Sequence, residues 1–291
     1  MSDLHLRAPA KINLGLEVIR RRSDGFHDIN TVFATVDVCD RIGLSRRPDG
    51  EITLRVSGNP ELESGASNLC VRAAAALRQR LGDSRLGADI VLEKHIPIGA
   101  GLGGGSSDAA AVLRGVAELW CAHELGSSDL EEIGLQLGSD VPFFIRGGIA
   151  HARGRGERLR PLAISLPYVA LLVNPGIHIP TPWAYARLGR TGERAETDLV
   201  LLLERSAADP SVLSIGLEND FEPAAFEAHP VLGTIKERLY GAGAQVALMS
   251  GSGATMFGLF GTPGQAHAAA RSFADYWHAV GSIGEVSAGT T

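Results

Sequence analysis

Five glycines fall within the seven residues 99–105, in the stretch Pro97-Ile98-Gly99-Ala100-Gly101-Leu102-Gly103-Gly104-Gly105-Ser106-Ser107-Asp108. Without Cβ atoms such a loop can take positive φ and turn its N–H groups inward around an anion. Ser106, Ser107 and Asp108 are helix-starting residues, and behind them Ala111, Val112, Gly115, Val116, Leu119 and Trp120 recur at helical spacing. A glycine nest opening onto a helix N-terminus is suited to phosphate, because free N–H groups and the helix dipole favour negative charge at one place. The alternative is a flexible turn, but a linker rarely sits between an apolar strand (Ile90, Leu92) and a strongly periodic helix.

Two other glycine motifs fit less well. Gly99-x-Gly101-x-x-Gly104 matches the dinucleotide fingerprint in form, yet that pattern wants a strand ending in an acidic residue about 20 residues on. Cys121-Ala122-His123-Glu124-Leu125-Gly126 stands there and reads as a helix end and loop. A P-loop wants Gly-Lys-Ser/Thr, and here the nearest lysine, Lys94, precedes the loop.

A phosphate in such a cradle needs a nucleophile, a base and a counter-charge if it is to be transferred. Lys11 and Asn13 share one face of an alternating segment, and Lys11 is either a solvated strand lysine or a cation facing a site. Asp140, in Gly138-Ser139-Asp140-Val141-Pro142, is either an ordinary N-cap or a carboxylate presented at a helix start. Ser250-Gly251-Ser252-Gly253, between two apolar strands, is either a tight hairpin or a support for substrate or phosphate.

The elements that must position these residues read as strand and helix in mixed order. Leu4 to Val18 alternates apolar and polar over fifteen residues, a strand interrupted near Pro9. Arg20-Arg21-Arg22-Ser23-Asp24-Gly25 is a turn, with Phe26 and His27 directly behind it. Strands follow over Val32–Val38, Ile52–Val56 and Tyr168–Val173, and a helix capped by Asn68. Ser128-Asp129-Leu130-Glu131 has the capping-box pattern, and Gly138 ends that helix. The Arg- and Gly-rich stretch around 150–160 reads as a crossover, dividing the chain into domains 1–155 and 156–291. In the second, the spacing predicts helices over 230–239 and 265–278, a polar loop over 189–198 and a frayed tail over 287–291.

The chain has 291 residues, 45% hydrophobic, with a net charge of −6 from 27 basic and 33 acidic residues. That balance argues against nucleic acid or a membrane surface as partner. Cys39, Cys70 and Cys121 are scattered, so neither a disulfide framework nor a metal site is expected, and a reducing compartment fits. No apolar run approaches the roughly 18 residues of a membrane span. The N-terminus carries Asp3, His5 and Arg7 instead of an apolar signal core, so the cytoplasm is expected.

Together these segments resemble the GHMP kinase superfamily, in the family's order from residue 8 to about 260. The likeness is carried by Pro9-Ala10-Lys11-Ile12-Asn13-Leu14, Asp24-Gly25-Phe26-His27, Pro97 to Ala109, Gly138 to Pro142, Ile179-Pro180-Thr181-Pro182, Asn219-Asp220 and Ser250 to Ala254. The Pro-Ala-Lys-Ile-Asn-Leu block with Asp-Gly-x-His behind it narrows the match to the branch acting on a cytidine-diphosphate-linked methylerythritol, in the non-mevalonate route to isoprenoids. The alternative is a sister kinase acting on mevalonate, homoserine or a sugar.

The resemblance implies an α+β fold of two domains, an N-terminal ATP-binding domain and a C-terminal ferredoxin-like one, in a monomer or dimer. It implies ATP as co-substrate, held by Pro97, Gly99, Gly101, Leu102, Gly103, Gly104, Gly105, Ser106 and Ser107, with Mg²⁺ on the phosphates near Ser106 or Ser107. By position, Asp140 matches the family's catalytic aspartate and Lys11 its partner. Asn13, Phe26, His27, Thr181 and Tyr185 match substrate-side residues, His27 reading the cytosine and Tyr185 stacking on it. Phe26 stands where Tyr is frequent, which removes a hydroxyl. Asp108 stands where Asn is also common, which adds a negative charge near the phosphates.

Overall fold

The long alternation becomes one strand, β1 (Leu4–Arg21). It threads three separate hydrophobic cores: Leu6 and Ala8 lie in the first, Ala10, Ile12 and Leu14 in the second, Leu16 and Val18 in the third. Its pairing register slips between Pro9 and Ala10 and again between Asn13 and Leu16. Each irregularity re-aims the alternation as the strand passes from one core to the next. The polar face is not solvated, since Lys11 and Asn13 are only 4% and 2% exposed.

The structure is a computed structural model that describes residues 4–59, 62–188, 194–206 and 211–284. β1 pairs antiparallel with β2 (His27–Arg47), which extends well beyond the strand expected over 32–38. There follow β3 (Ile52–Ser57), α1 (Leu69–Leu81), β4 (Gly87–Glu93), α2 (Gly104–Leu119), α3 (Ser127–Leu137), α4 (Val141–Arg146), β5 (Ile149–Gly154) and β6 (Arg158–Pro161). The first sheet runs β3-β4-β2-β5-β6, with β1 also on β2. Ala73 and Leu77 of α1 and Val112 and Val116 of α2 pack in the core beside it. Asn68 caps α1, its side chain accepting from the Cys70 N–H at 2.9 Å.

The second half continues with β7 (Val169–Asn174), α5 (Thr181–Leu188), α6 (Leu199–Ser206), α7 (Ser211–Gly216), α8 (Glu222–Ala228), α9 (Pro230–Gly241), β8 (Val246–Met249), β9 (Met256–Phe260), α10 (Pro263–Ala270) and β10 (Trp277–Ser282). These strands form an antiparallel sheet in the order β10-β7-β9-β8. With helices between β7 and β8 and between β9 and β10, this is the βαββαβ arrangement of a ferredoxin-like unit.

Four expectations are corrected. Ser106, Ser107 and Asp108 do not start the helix: α2 begins at Gly104 after Gly103 at φ +70°, and Ser107 and Asp108 lie buried within it. Residues 150–160 are not a crossover, because β5 and β6 there pair as a hairpin of the first sheet. The helix expected over 265–278 ends at Ala270, and the chain from Trp277 pairs with β7 instead. The N-cap before α3 is Gly126, whose N–H donates to the Asp129 carboxylate at 2.9 Å. Of the polar loop, residues 189–193 lie outside the described residues, as does the tail. The remainder is tied down: Arg194 pairs with Asp220 at 2.5 Å and Glu17 at 2.9 Å. No described helix is long and apolar enough to cross a membrane.

Candidate active site

The glycine stretch divides two cavities. One, of about 530 Å³, is lined by Pro97, Gly99, Gly104, Gly105, Ser106 and Asp108, and by Asn68 and Leu69 from α1. The other, of about 880 Å³, holds Lys11, Asn13, Phe26, His27, Asp140, Thr181 and Tyr185. Among the described residues only Gly101 and Gly103 line both. Gly101 has φ +78°, and a Cβ there would stand 2.1 Å from the Ser250 carbonyl oxygen; at Gly103 it would strike the Phe144 ring at 2.8 Å. Glycine is therefore required at both positions. The first-turn N–H groups of α2 complete the cradle. Leu102 and Ser107 turn inward: Leu102 is buried with its carbonyl accepting from the Lys11 N–H at 2.9 Å, and Ser107 Oγ is buried without a hydrogen-bond partner.

Beneath the first cavity lies a charge cluster that sequence reading missed. Lys94 Nζ bonds to Asp40 and, at 2.8 Å, to Asp108 Oδ2. Asp40 Oδ1 also accepts the N–H groups of His95 at 2.6 Å and Ile96 at 2.9 Å, fixing the entry to the glycine loop. Burial and the charge of Asp40 push the Asp108 carboxyl up to about 8 against the pull of Lys94. The extra acid near the phosphates is thus answered from below. The only sequence signal was a lysine at the end of an apolar strand.

In the second cavity Lys11 donates to Asn13 Oδ1 at 2.6 Å, and Asn13 Nδ2 to Thr31 Oγ1 at 2.9 Å. Lys11 Nζ also lies 5.3 Å from the Phe33 ring centroid. Burial lowers the Lys11 pKa, and the charge of Asp140 works against that fall. Asp140 has helical φ/ψ (−85°, −15°) and its side chain makes no cap bond. Asp140 thus stands at the N-cap position of α4 without capping it, and it lines the cavity.

The His27 ring stacks on Tyr185 at 4.6 Å and 17°, and Tyr185 meets Phe221 edge-on at 4.9 Å. Burial, then Asp140, raises the Tyr185 hydroxyl to about 12. Thr181 Oγ1 lies 3.0 Å from Ser252 Oγ. The Ser250–Gly253 segment joins β8 to β9 and braces the glycine loop. Ser250 Oγ donates to the Gly101 carbonyl at 2.9 Å, and the Thr255 N–H to that of Ala100 at 3.2 Å. Asn219 Nδ2 steadies the segment through the Met249 carbonyl at 2.7 Å and that of Gly251 at 2.9 Å.

A glycine loop of this kind at a helix start, with a mixed sheet domain and a ferredoxin-like domain, is the architecture of the GHMP kinases. The sequence matches the GHMP kinases N terminal domain over residues 68–148 and the GHMP kinases C terminal domain over 202–279. Curated relatives named 4-diphosphocytidyl-2-C-methyl-D-erythritol kinase include one from Chlorobium phaeobacteroides, 44% identical over 90% of this chain and 88% of its own. Another, from Geobacter metallireducens, is 43% identical over 94% of each chain. A crystal structure of 4-(cytidine 5'-diphospho)-2C-methyl-D-erythritol kinase superposes with a TM-score of 0.84 at 38% identity, covering 97% of this chain and all of that one. The chain belongs to this kinase family. A homoserine kinase from Cytophaga hutchinsonii shares the fold at a TM-score of 0.75 but only 19% identity.

Proposed function

We propose that the chain transfers the γ-phosphoryl group of ATP to the 2-hydroxyl of 4-diphosphocytidyl-2-C-methyl-D-erythritol, giving its 2-phosphate and ADP. The observation that carries this reading is the pair of cavities meeting at Gly101 and Gly103, with Lys11 and Asp140 on the acceptor side. ATP occupies the cavity of the first domain. The second domain closes the acceptor cavity through Thr181, Tyr185 and Ser252. The likeness to the curated relatives supports this substrate over mevalonate, homoserine or a sugar.

In this reading the acceptor oxygen forms a bond to phosphorus as the bond to the β-phosphate oxygen breaks. Its proton passes to Asp140, from which it is lost to solvent. A positioned carboxylate is worth roughly 10²–10⁴-fold. Lys11 offsets the charge on the transferred group and is held in place by Asn13. His27 and Tyr185 hold the cytosine end.

Mg²⁺ fits the residues present. No group of three His, Cys, Asp or Glu among the described residues could hold a metal, and an ion carried by phosphate oxygens and water does not need one. The cavity-lining Ser106 is the hard oxygen donor that would stand beside it. There it would neutralise the phosphate charge. With scattered thiols and no disulfide framework, the cytoplasm is the compartment that suits the chain.

Asp140→Asn tests the reading. Turnover should fall by at least ~10²-fold with ATP affinity and melting temperature kept. Unchanged turnover removes Asp140 from the role. ADP release triggered by mevalonate, homoserine or a sugar and not by the cytidine substrate removes the assignment.

A further inference from the structure

Most arginines around the turn after β1 are neutralised. Arg20 Nε bonds to Asp28 at 2.7 Å, and Arg22 reaches Asp28 at 3.1 Å and Asp24 at 2.8 Å. In β5, Arg153 pairs with Glu196 at 2.5 Å. Two arginines are left over. Arg21, at the last residue of β1 and opposite His27 in the β1–β2 register, makes no ion pair among the described residues. Arg155, in the β5–β6 turn, makes none either: its guanidinium carbon sits 4.7 Å from the centroid of the exposed Phe26 ring. The nearby acid, Asp24, is already engaged by Arg22. Both free guanidinium groups line the acceptor cavity, together with Gly25, Phe26 and His27. The charge of Arg21 reaches the His27 imidazole, where it adds to burial in lowering that pKa.

Two unpaired cations lining one cavity favour an anion between them. Guanidinium forks match phosphate oxygens in pairs of hydrogen bonds, and the stacked Phe26 ring holds one fork in place. We propose that Arg21 and Arg155 form a clamp for the diphosphate bridge of a nucleoside-diphosphate-linked acceptor, and so select against alcohols that lack such a bridge. The inference rests on the acceptor reading above. It places the two charges of the bridge between the base, held at His27, and the alcohol, held at Lys11 and Asp140. The three-arginine turn and the Arg/Gly stretch, which as sequence read as a turn and a crossover, thereby each contribute one residue to specificity.

The test uses Arg21→Gln, Arg155→Gln and the double variant of the full chain. KM for the cytidine-diphosphate acceptor should rise roughly 10–100-fold in each single variant, the scale of a lost charge-assisted hydrogen bond. KM for ATP and the melting temperature should stay unchanged, and Arg21→Lys should recover part of the loss. Binding of CDP and of cytidine, each measured alone, reads the clamp without catalysis: the wild type should prefer CDP, and the double variant should bind both alike. An unchanged acceptor KM in both single variants overturns the proposal. So does a KM for ATP that rises as much as that of the acceptor, because the arginines would then serve the triphosphate. A wild type that leaves the acceptor unphosphorylated defeats the functional reading, whereas the CDP-over-cytidine preference still decides the clamp.

Discussion

Replacing Gly101 by alanine tests whether the two glycine segments are wedged together. At φ +78° an L-residue carries a conformational cost of roughly 1–2 kcal/mol. The new methyl would stand 2.1 Å from the Ser250 carbonyl oxygen and 3.1 Å from that of Gly253. Both neighbours are backbone, so the segments must part, at about 1–3 kcal/mol for an overpacked contact. The sum, roughly 2–5 kcal/mol, corresponds to a melting point lower by roughly 4–20 °C. Because Gly101 lines both cavities, KM should rise for ATP and for the acceptor together. Gly105→Ala is the matched control: its methyl meets only Leu69 Cδ1, at 3.6 Å, at a helical position. Its stability should change by no more than about 1 kcal/mol. Urea unfolding and initial-rate kinetics on the pair read both effects. A Gly101→Ala protein that unfolds with the wild type and keeps both KM values would refute the wedge.

Three further outcomes are expected. Asp108→Asn keeps the shape of a carboxyl raised to about 8 and should lose under about 1 kcal/mol, whereas Asp40→Asn breaks a buried pair and should lose about 3–5 kcal/mol in chemical denaturation. Because burial lowers the Lys11 pKa, its ammonium is lost at a lower pH than the ordinary 10.5. The alkaline limb of the pH–rate profile should therefore fall below that value, and Lys11→Arg should move it outward while reducing the rate. His27→Ala and Tyr185→Ala should weaken CDP binding in calorimetry while ATP binding is kept, and equal losses for both nucleotides would count against their placement on the acceptor side.

The site was legible where its chemistry is local. Positive φ at Gly99, Gly101 and Gly103 demands glycine, so the cradle stands out in the sequence itself. Lys11 and Asn13 share a face because a strand alternates, and that periodicity survives the slip at Pro9. What escaped notice is held by pairing distant in sequence. Asp40 meets Lys94 only because β2 and β4 align Arg41 with Glu93, which no local pattern announces. The Ala-rich helix α10 hides β10, whose strand character comes from its partner β7. Ser106, Ser107 and Asp108 have capping propensity, yet Gly103 occupies that corner because Phe144 leaves no room for a Cβ. The free Arg21 differs from Arg20 and Arg22 only in which carboxylates the fold brings within reach.

Among the described residues Gly101 and Gly103 alone line both chambers, so their backbone is the wall the two have in common. A single inhibitor spanning both would have to pass the backbone at Gly101 and Gly103, where even a methyl would strike the Ser250 carbonyl or the Phe144 ring, which favours slender tethers over fused ring systems.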